Sequence, residues 1–126
     1  MLPDVFAPAL DGGSEAFLLT GLVEGAVAGL CFTTHEEMTD GTWNMLALAV
    51  RPDAQSKGLG AGLVEAAKAH LQEAGQRILI VDTSGTDAFA RTRGFYVKNG
   101  YTEEARIRDF WASGDDKVTF RKALRP

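Results

Sequence analysis

The junction of an apolar strand, a glycine-rich loop and an amphipathic helix, over residues 43–74, is the feature that most constrains the fold. Residues Trp43–Val50 are almost continuously apolar after Asn44, which is typical of a strand covered on both faces. Pro52 ends this strand, and over residues 60–74 apolar side chains recur every three or four positions, which predicts a helix. Those apolar positions are Leu63, Ala66, Ala67, Leu71 and Ala74. A strand that leads into a helix in this way predicts an α/β protein with a mixed sheet.

Patterns on either side of this unit extend the sheet. Strand-forming residues predict further strands over residues 16–23, 26–34, 78–82, 101–110 and 117–124. A second helix is predicted over residues 87–99, ended by Gly100, and a short helix within residues 1–13. After that short helix the predicted order is β-β-β-α-β-α-β-β. No internal repeat or linker divides the chain, so residues 1–126 are expected to form a single domain.

Composition excludes several classes of protein. Apolar residues make up 45% of the chain and charged residues 24%, which is ordinary globular usage and argues against intrinsic disorder. No apolar run approaches the ~20 residues that a membrane-spanning helix needs, and no Lys or Arg precedes Arg51, so neither a membrane segment nor a secretory signal is expected. Cytoplasmic residence follows as the expectation. Cys31 is the single cysteine and the chain has two histidines, so neither an intrachain disulfide nor a closed zinc site is expected.

Charge is distributed unevenly along the chain. Residues 1–50 contain no Lys or Arg, and their seven acids are Asp4, Asp11, Glu15, Glu24, Glu36, Glu37 and Asp40. The sequence pI of about 5.1 argues against a nucleic-acid-binding protein. The asymmetry fits a site with one basic and one acidic side, or two solvated surfaces whose charges have no functional role.

The loop that opens the long helix is a candidate anion site. Gly58, Gly60 and Gly62 alternate there, so backbone N–H groups can approach a phosphate or pyrophosphate at the positive end of the helix dipole. The alternative is a loop whose glycines only serve turns.

Two other phosphate-binding motifs fit this loop poorly. A Walker loop requires Gly-Lys-Ser/Thr, but Leu63 and Val64 follow Gly62. A dinucleotide-binding motif would use Asp82, about 20 residues further on, to bind a ribose. Its third glycine position is occupied by Leu63, and 44 residues after Asp82 are too few for a doubly wound sheet.

Two segments carry a family resemblance. Gln55-Ser56-Lys57-Gly58-Leu59-Gly60 resembles the acyl-CoA signature of the GNAT N-acetyltransferases, Gln/Arg-x-x-Gly-x-Gly/Ala. Phe95-Tyr96-Val97-Lys98-Asn99-Gly100-Tyr101 is similar to a second marker of that family, at the end of its fourth helix. The resemblance covers roughly residues 15–124. It implies the GNAT fold and the transfer of an acetyl group from acetyl-CoA to a primary amine of a small molecule or peptide, without a metal.

The resemblance also assigns roles to residues. It places the CoA pyrophosphate on the loop residues Gln55, Ser56, Lys57, Gly58, Leu59, Gly60 and Ala61. It places the pantetheine and the acetyl carbonyl on backbone groups of Leu48, Ala49 and Val50, in a strand that splays from its parallel neighbour at residues 78–82. Tyr96 would protonate the departing thiolate; without the resemblance, it is a packing residue beside Phe95.

The general base remains open. Many family members use a carboxylate on the central strand, but residues 43–50 contain none. The candidates are Glu36, Glu37, Asp40 and Asp82, acting directly or through water. Because of this departure, a second hypothesis stays open, in which the protein is a non-catalytic acyl-CoA-binding or sensing module. Cys31 lies among small and apolar residues and is interpreted as a packing residue, not a nucleophile.

The N-terminal part departs from the family as well. The family's usual first strand and long first helix need more residues than precede Ala16, so the fold is expected to be shortened there. The apolar sheet surface left uncovered predicts a homodimer. Because the charges before Arg51 are all negative and border the acceptor side in this architecture, the acceptor is expected to be cationic before it is deprotonated.

Overall fold

A computed structural model describes residues 6–11, 15–55 and 58–125. Its seven strands form one sheet in the order β1-β2-β3-β4-β5-β7-β6, in which only β4 and β5 are parallel neighbours. The strands are β1 (Phe6–Asp11), β2 (Ala16–Val23), β3 (Ala26–His35), β4 (Thr42–Val50), β5 (Ile78–Ser84), β6 (Thr102–Ala112) and β7 (Asp115–Ala123). The helices are α1 (Leu59–Glu73) and α2 (Ala90–Lys98), each preceded by a single 3₁₀ turn, at Pro52–Ala54 and Asp87–Phe89. The predicted mixed α/β fold is confirmed.

The short N-terminal helix was predicted wrongly. Residues 6–11 form β1, which pairs antiparallel with β2 from Phe6 opposite Gly21 to Asp11 opposite Phe17. Pro8 interrupts helical hydrogen bonding but is tolerated on an edge strand, where the register shifts between Pro8 and Leu10. The rest of the predicted helix, residues 1–5, lies outside the described residues.

The core lies between one face of the sheet and the two helices. Its strand residues include Phe17, Leu19, Cys31, Met45, Leu79, Val81, Val118 and Phe120. All buried residues of α1 and α2, among them Leu63, Leu71 and Tyr96, belong to this cluster. Burying a side chain such as Leu63, which is 0% exposed, contributes about 1.5–3 kcal/mol.

No buried side chain of α1 or α2 packs on the opposite face of the sheet, which is called the open face below. Strand alternation and register place on it Leu18, Leu22, Leu30, Phe32, Asn44, Ile80, Asp82 and Thr119. Its apolar members are half-buried. Among the described residues, no helix is long and apolar enough to cross a membrane.

The sheet splits between β4 and β5. Their pairing covers only residues 42–45 of β4 and ends at Met45 opposite Val81. Beyond Met45, β4 keeps its pairing with β3, whereas β5 continues beside β7. A bulge at the start of the split shifts the β3–β4 register between Phe32 and Thr33. The splay that the family resemblance implied is therefore present.

Candidate active site

A groove of about 710 Å³ lies between the split half of β4, the start of α1, and α2. Its lining residues are Leu48, Val50, Gln55, Gly58, Gly60, Ala61, Arg91, Thr92, Gly94, Phe95, Tyr96, Lys98 and Asn99. Arg91 and Lys98 are the charged side chains in this lining, and no acid is among the described lining residues. The described lining therefore carries positive charge, which favours an anionic ligand.

The first turn of α1 directs backbone N–H groups towards the N-terminus of the helix, beside the groove. The helix ladder begins with the bond from the Gly62 N–H to the Gly58 carbonyl oxygen, at 2.9 Å, so the N–H groups of Leu59, Gly60 and Ala61 precede it. Gly58 caps the helix with a φ of +82°, a left-handed conformation that favours glycine. A Cβ at Gly58 would meet open space, whereas one at Gly60 would lie 3.6 Å from Val50 and 3.7 Å from Phe95. The two glycines therefore have different roles, Gly58 in the turn and Gly60 in close packing at the groove.

The β4 residues predicted to bind the cofactor divide into two sets, according to the side of the strand that their backbone groups face. The Val50 carbonyl accepts a hydrogen bond from Gln55 Nε2 at 3.1 Å, on the side away from β3. The Arg51 N–H donates to Ala28 of β3, and the Ala49 carbonyl lies against Gly29 of β3. Because backbone groups alternate sides along an antiparallel strand, those of Leu48 and Val50 face the split and those of Ala49 face β3.

The remaining predicted cofactor residues lie at different depths. Gln55, Gly58, Gly60 and Ala61 line the groove, as do Leu48 and Val50. The Leu59 side chain is buried in the core, and its backbone N–H lies in the first turn of α1. Ser56 and Lys57 lie outside the described residues.

The basic side chains of α2 were not predicted from the sequence. Arg91, Phe95 and Lys98 are spaced by four and then three residues, so they share one face of the helix, the face that lines the groove. This spacing could have predicted that the three residues share a face. However, two charged residues on a short helix ordinarily mark a solvated face, so the spacing did not indicate a binding site.

Tyr96 is buried at the base of the groove, with 4% of its surface exposed. Its ring packs at 5.3 Å from Phe95 and at 5.7 Å from both Tyr101 and Phe120. Burial, with a smaller contribution from nearby Cys31, raises the pKa of Tyr96 to about 12. Tyr96 therefore stays protonated at neutral pH and is able to donate a hydrogen bond into the groove.

Cys31 is 0% exposed, and burial raises the pKa of its thiol to about 11. A thiol of this kind is mostly uncharged at neutral pH, and the thiolate is the nucleophilic form. These properties fit the packing role expected for Cys31.

Two of the four candidate bases meet on the open face. Asn44 Nδ2 donates to Glu36 Oε1 at 2.9 Å and to Asp82 Oδ2 at 3.2 Å. Thr119 Oγ1 donates to Asp82 Oδ1 at 2.5 Å, and Lys117 Nζ lies 4.0 Å from Asp82 Oδ2. The other two candidates, Glu37 and Asp40, are exposed. Asn44 thus links two of the candidate acids, Glu36 and Asp82, whereas the other two lie at the surface.

Comparison with known proteins identifies the family. The model of the acetyltransferase (GNAT) domain family matches residues 14–103. A GNAT-family protein from Desulfovibrio desulfuricans is 30% identical over 88% of this chain and 70% of that one, with a TM-score of 0.85. No curated protein sequence gives a significant match.

More distant structures share the fold. A GNAT family acetyltransferase from Elizabethkingia anophelis, solved with acetyl-CoA bound, is 12% identical over 94% of this chain and 97% of that one, with a TM-score of 0.81. The ribosomal-protein-S18-alanine N-acetyltransferase from Escherichia coli is 20% identical over 90% of this chain and 72% of that one, with a TM-score of 0.79. At these identities the likeness extends to the fold alone. The family match over residues 14–103 shows more, and the chain belongs to the GNAT acetyltransferase family.

Proposed function

We propose that this protein transfers the acetyl group of acetyl-CoA to a primary amine of a small molecule or peptide, by direct attack of the amine on the thioester. The observation that carries the proposal is the groove between the split half of β4 and α2, which begins at the N-terminus of α1. A split sheet beside a helix N-terminus suits a ligand with a phosphate group and a long amide-bearing arm.

The pyrophosphate of the cosubstrate binds at the start of α1. The N–H groups of Leu59, Gly60 and Ala61 supply donors there, and the helix dipole adds positive potential. The loop residues Gln55, Ser56, Lys57 and Gly58 complete this part of the proposed site. Arg91 and Lys98 add positive charge along the groove, which suits the polyanionic end of the molecule.

The pantetheine arm pairs with the free edge of β4. The backbone groups of Leu48 and the N–H of Val50 face the split and can pair with an added strand, whereas the Val50 carbonyl accepts from Gln55 and Ala49 holds β4 against β3. One N–H of this edge donates to the acetyl carbonyl and stabilises negative charge on its oxygen during attack.

Tyr96 donates a hydrogen bond to the departing sulfur. With a pKa of about 12, full proton transfer to a thiolate whose conjugate acid has a pKa near ~8.5 would be uphill by roughly 5 kcal/mol. Tyr96 therefore stabilises the thiolate as a donor, and the proton that finally resides on sulfur originates from the attacking nitrogen.

One observation favours the second hypothesis, a non-catalytic acyl-CoA-binding module. At the split, β4 carries the amide of Asn44 and no carboxylate. A protein of this kind would bind acetyl-CoA in the same groove without transferring its acetyl group.

Calorimetry followed by a thiol-release assay separates the two hypotheses. Acetyl-CoA is titrated into the protein, and free thiol is then measured over a library of primary amines. We expect saturable binding and thiol release that depends on one or more amines. Binding without release on any amine favours the binding module, and the absence of binding contradicts both.

A further inference from the structure

We propose that Glu36, Asn44 and Asp82 form the acceptor site, in which the Asp82 carboxylate takes a proton from the incoming ammonium while Glu36 and Asn44 position it. This inference rests on the proposed acetyl transfer and assigns its acceptor side. The acceptor class is an amine that arrives protonated, such as an alkylammonium group.

The orientation of the Asn44 amide is determined by its neighbours. Its Nδ2 donates to both carboxylates, and the reverse orientation would bring Oδ1 against two anions. Oδ1 is then left as a buried acceptor with no partner, in a side chain that is 6% exposed. An unpaired buried carbonyl oxygen is unfavourable, and an amine N–H would satisfy it once a small shift of the surrounding side chains admits the ligand.

The charges around this amide match one ammonium group. Glu36 and Asp82 contribute two negative charges, and Lys117, at 4.0 Å from Asp82, contributes one positive charge. Thr119 occupies Oδ1 of Asp82, which orients the carboxylate towards Asn44. The net charge of these three groups is −1, which favours a cation.

The cluster lies where the sheet opens. Asn44 precedes Met45, the last β4 residue paired with β5, and Asp82 follows Val81, the partner of Met45. Both residues are on the open face, whereas Tyr96 packs on Phe120 of the core face. An amine held by the cluster thus reaches the split from the face opposite the cofactor groove and Tyr96.

The reaction balances with these residues. One proton passes from the ammonium to solvent through the Asp82 carboxylate, which relays the proton and does not keep it. The nitrogen lone pair forms a bond to the thioester carbonyl carbon, and the carbon–sulfur bond breaks with its electron pair on sulfur. A second proton leaves the nitrogen and reaches the sulfur, so the products are an amide, a thiol and one proton in solution.

The kinetic test compares two amines of similar shape. Benzylamine is protonated at neutral pH and needs a base, whereas aniline is already neutral. We expect Asp82→Asn to lower kcat/KM for benzylamine by about 100-fold or more, and for aniline by less than about 10-fold. Glu36→Gln should raise the KM for benzylamine and leave kcat nearly unchanged. Both variants should bind acetyl-CoA as the wild type does.

Matched controls are present in the chain. Asp40→Asn and Glu37→Gln make the same substitutions at exposed carboxylates and should behave as the wild type with both amines. Equal losses of activity for benzylamine and aniline in Asp82→Asn would overturn the inference, as would losses of similar size in the control variants. Such results would leave the proposed acetyl transfer standing, because the wild type would still be active.

A binding measurement tests the site independently of turnover. Benzylammonium should raise the thermal unfolding midpoint of the wild type more than neutral benzyl alcohol does, and this difference should disappear in Glu36→Gln. Equal effects of the two compounds on the wild type contradict the acceptor site. Failure of acetyl-CoA to bind contradicts the proposed function instead.

Discussion

Single residues decide how the transfer would work, and Tyr96 is the first of them. Replacing Tyr96 with Phe removes a hydroxyl and keeps the ring that packs against Phe95, Tyr101 and Phe120. We expect kcat to fall by roughly 10- to 1000-fold while the acetyl-CoA dissociation constant stays nearly unchanged, because the lost donor acts on the departing thiolate. Steady-state kinetics with calorimetry measure both quantities. A Phe variant with the wild-type rate, where chemistry limits turnover, would make Tyr96 a packing residue.

The buried Tyr96 hydroxyl and the Cys31 thiol make the free energy of unfolding decrease at alkaline pH. The folded pKa of Cys31 is about 11 against 9.0, and that of Tyr96 about 12 against 10.0, because burial disfavours both anions. Both groups are thus more easily deprotonated in the unfolded chain. Their stabilising contribution is complete below about pH 9 and is lost as the pH rises towards 12. Urea unfolding at pH 8 and pH 11 should show this loss, with a smaller decline in Tyr96→Phe. Equal declines in the two proteins would contradict the contribution of Tyr96.

At the scale of elements, the loop and the first turn of α1 determine cofactor binding. A Cβ at Gly60 would lie between Val50 and Phe95 in the lining of the groove, so a valine side chain would occupy space there. Gly60→Val should weaken acetyl-CoA binding by about 1–3 kcal/mol, through lost backbone hydrogen bonds to charged phosphate. Calorimetry measures the change.

A control separates this effect from the cost of a β-branched residue in a helix. Glu73→Val introduces the same residue at the exposed end of α1, away from the groove, and should leave acetyl-CoA affinity unchanged. An unchanged dissociation constant in a folded Gly60→Val protein would remove the basis for placing the pyrophosphate at α1.

Elements also show where sequence reasoning succeeds and where it fails. β4, the loop and α1 could be predicted because their patterns are local in sequence, and the β4–β5 split followed from the family resemblance. The meeting of Glu36 with Asp82 could not be predicted, since it depends on the register of β4 against β5 and on the Asn44 amide between them. Helical spacing in residues 5–10 was misleading, because pairing with β2 outweighs it.

At the scale of the whole molecule, the uncovered apolar residues predict assembly. We propose a homodimer that packs over the open face at β2 and β3, where Leu18, Leu22, Leu30 and Phe32 are half-buried and no described helix covers them.

Light scattering at micromolar concentration checks this assembly. We expect a dimer for the wild type and a shift towards monomer for a folded Phe32→Lys variant. Val97→Lys places the same charge at an exposed position of α2, which packs on the opposite face of the sheet, and should remain dimeric. A monomeric wild type would contradict the proposal.

The most direct test of the account follows the acetyl group itself. Acetyl-CoA labelled with deuterium in the acetyl methyl group is incubated with the protein and an amine that supports thiol release, and the products are analysed by mass spectrometry. Direct transfer predicts labelled amide in an amount equal to the thiol released, with no label on the protein. Thiol release without labelled amide would contradict the proposed transfer, and label retained on Cys31 would contradict direct attack by the amine.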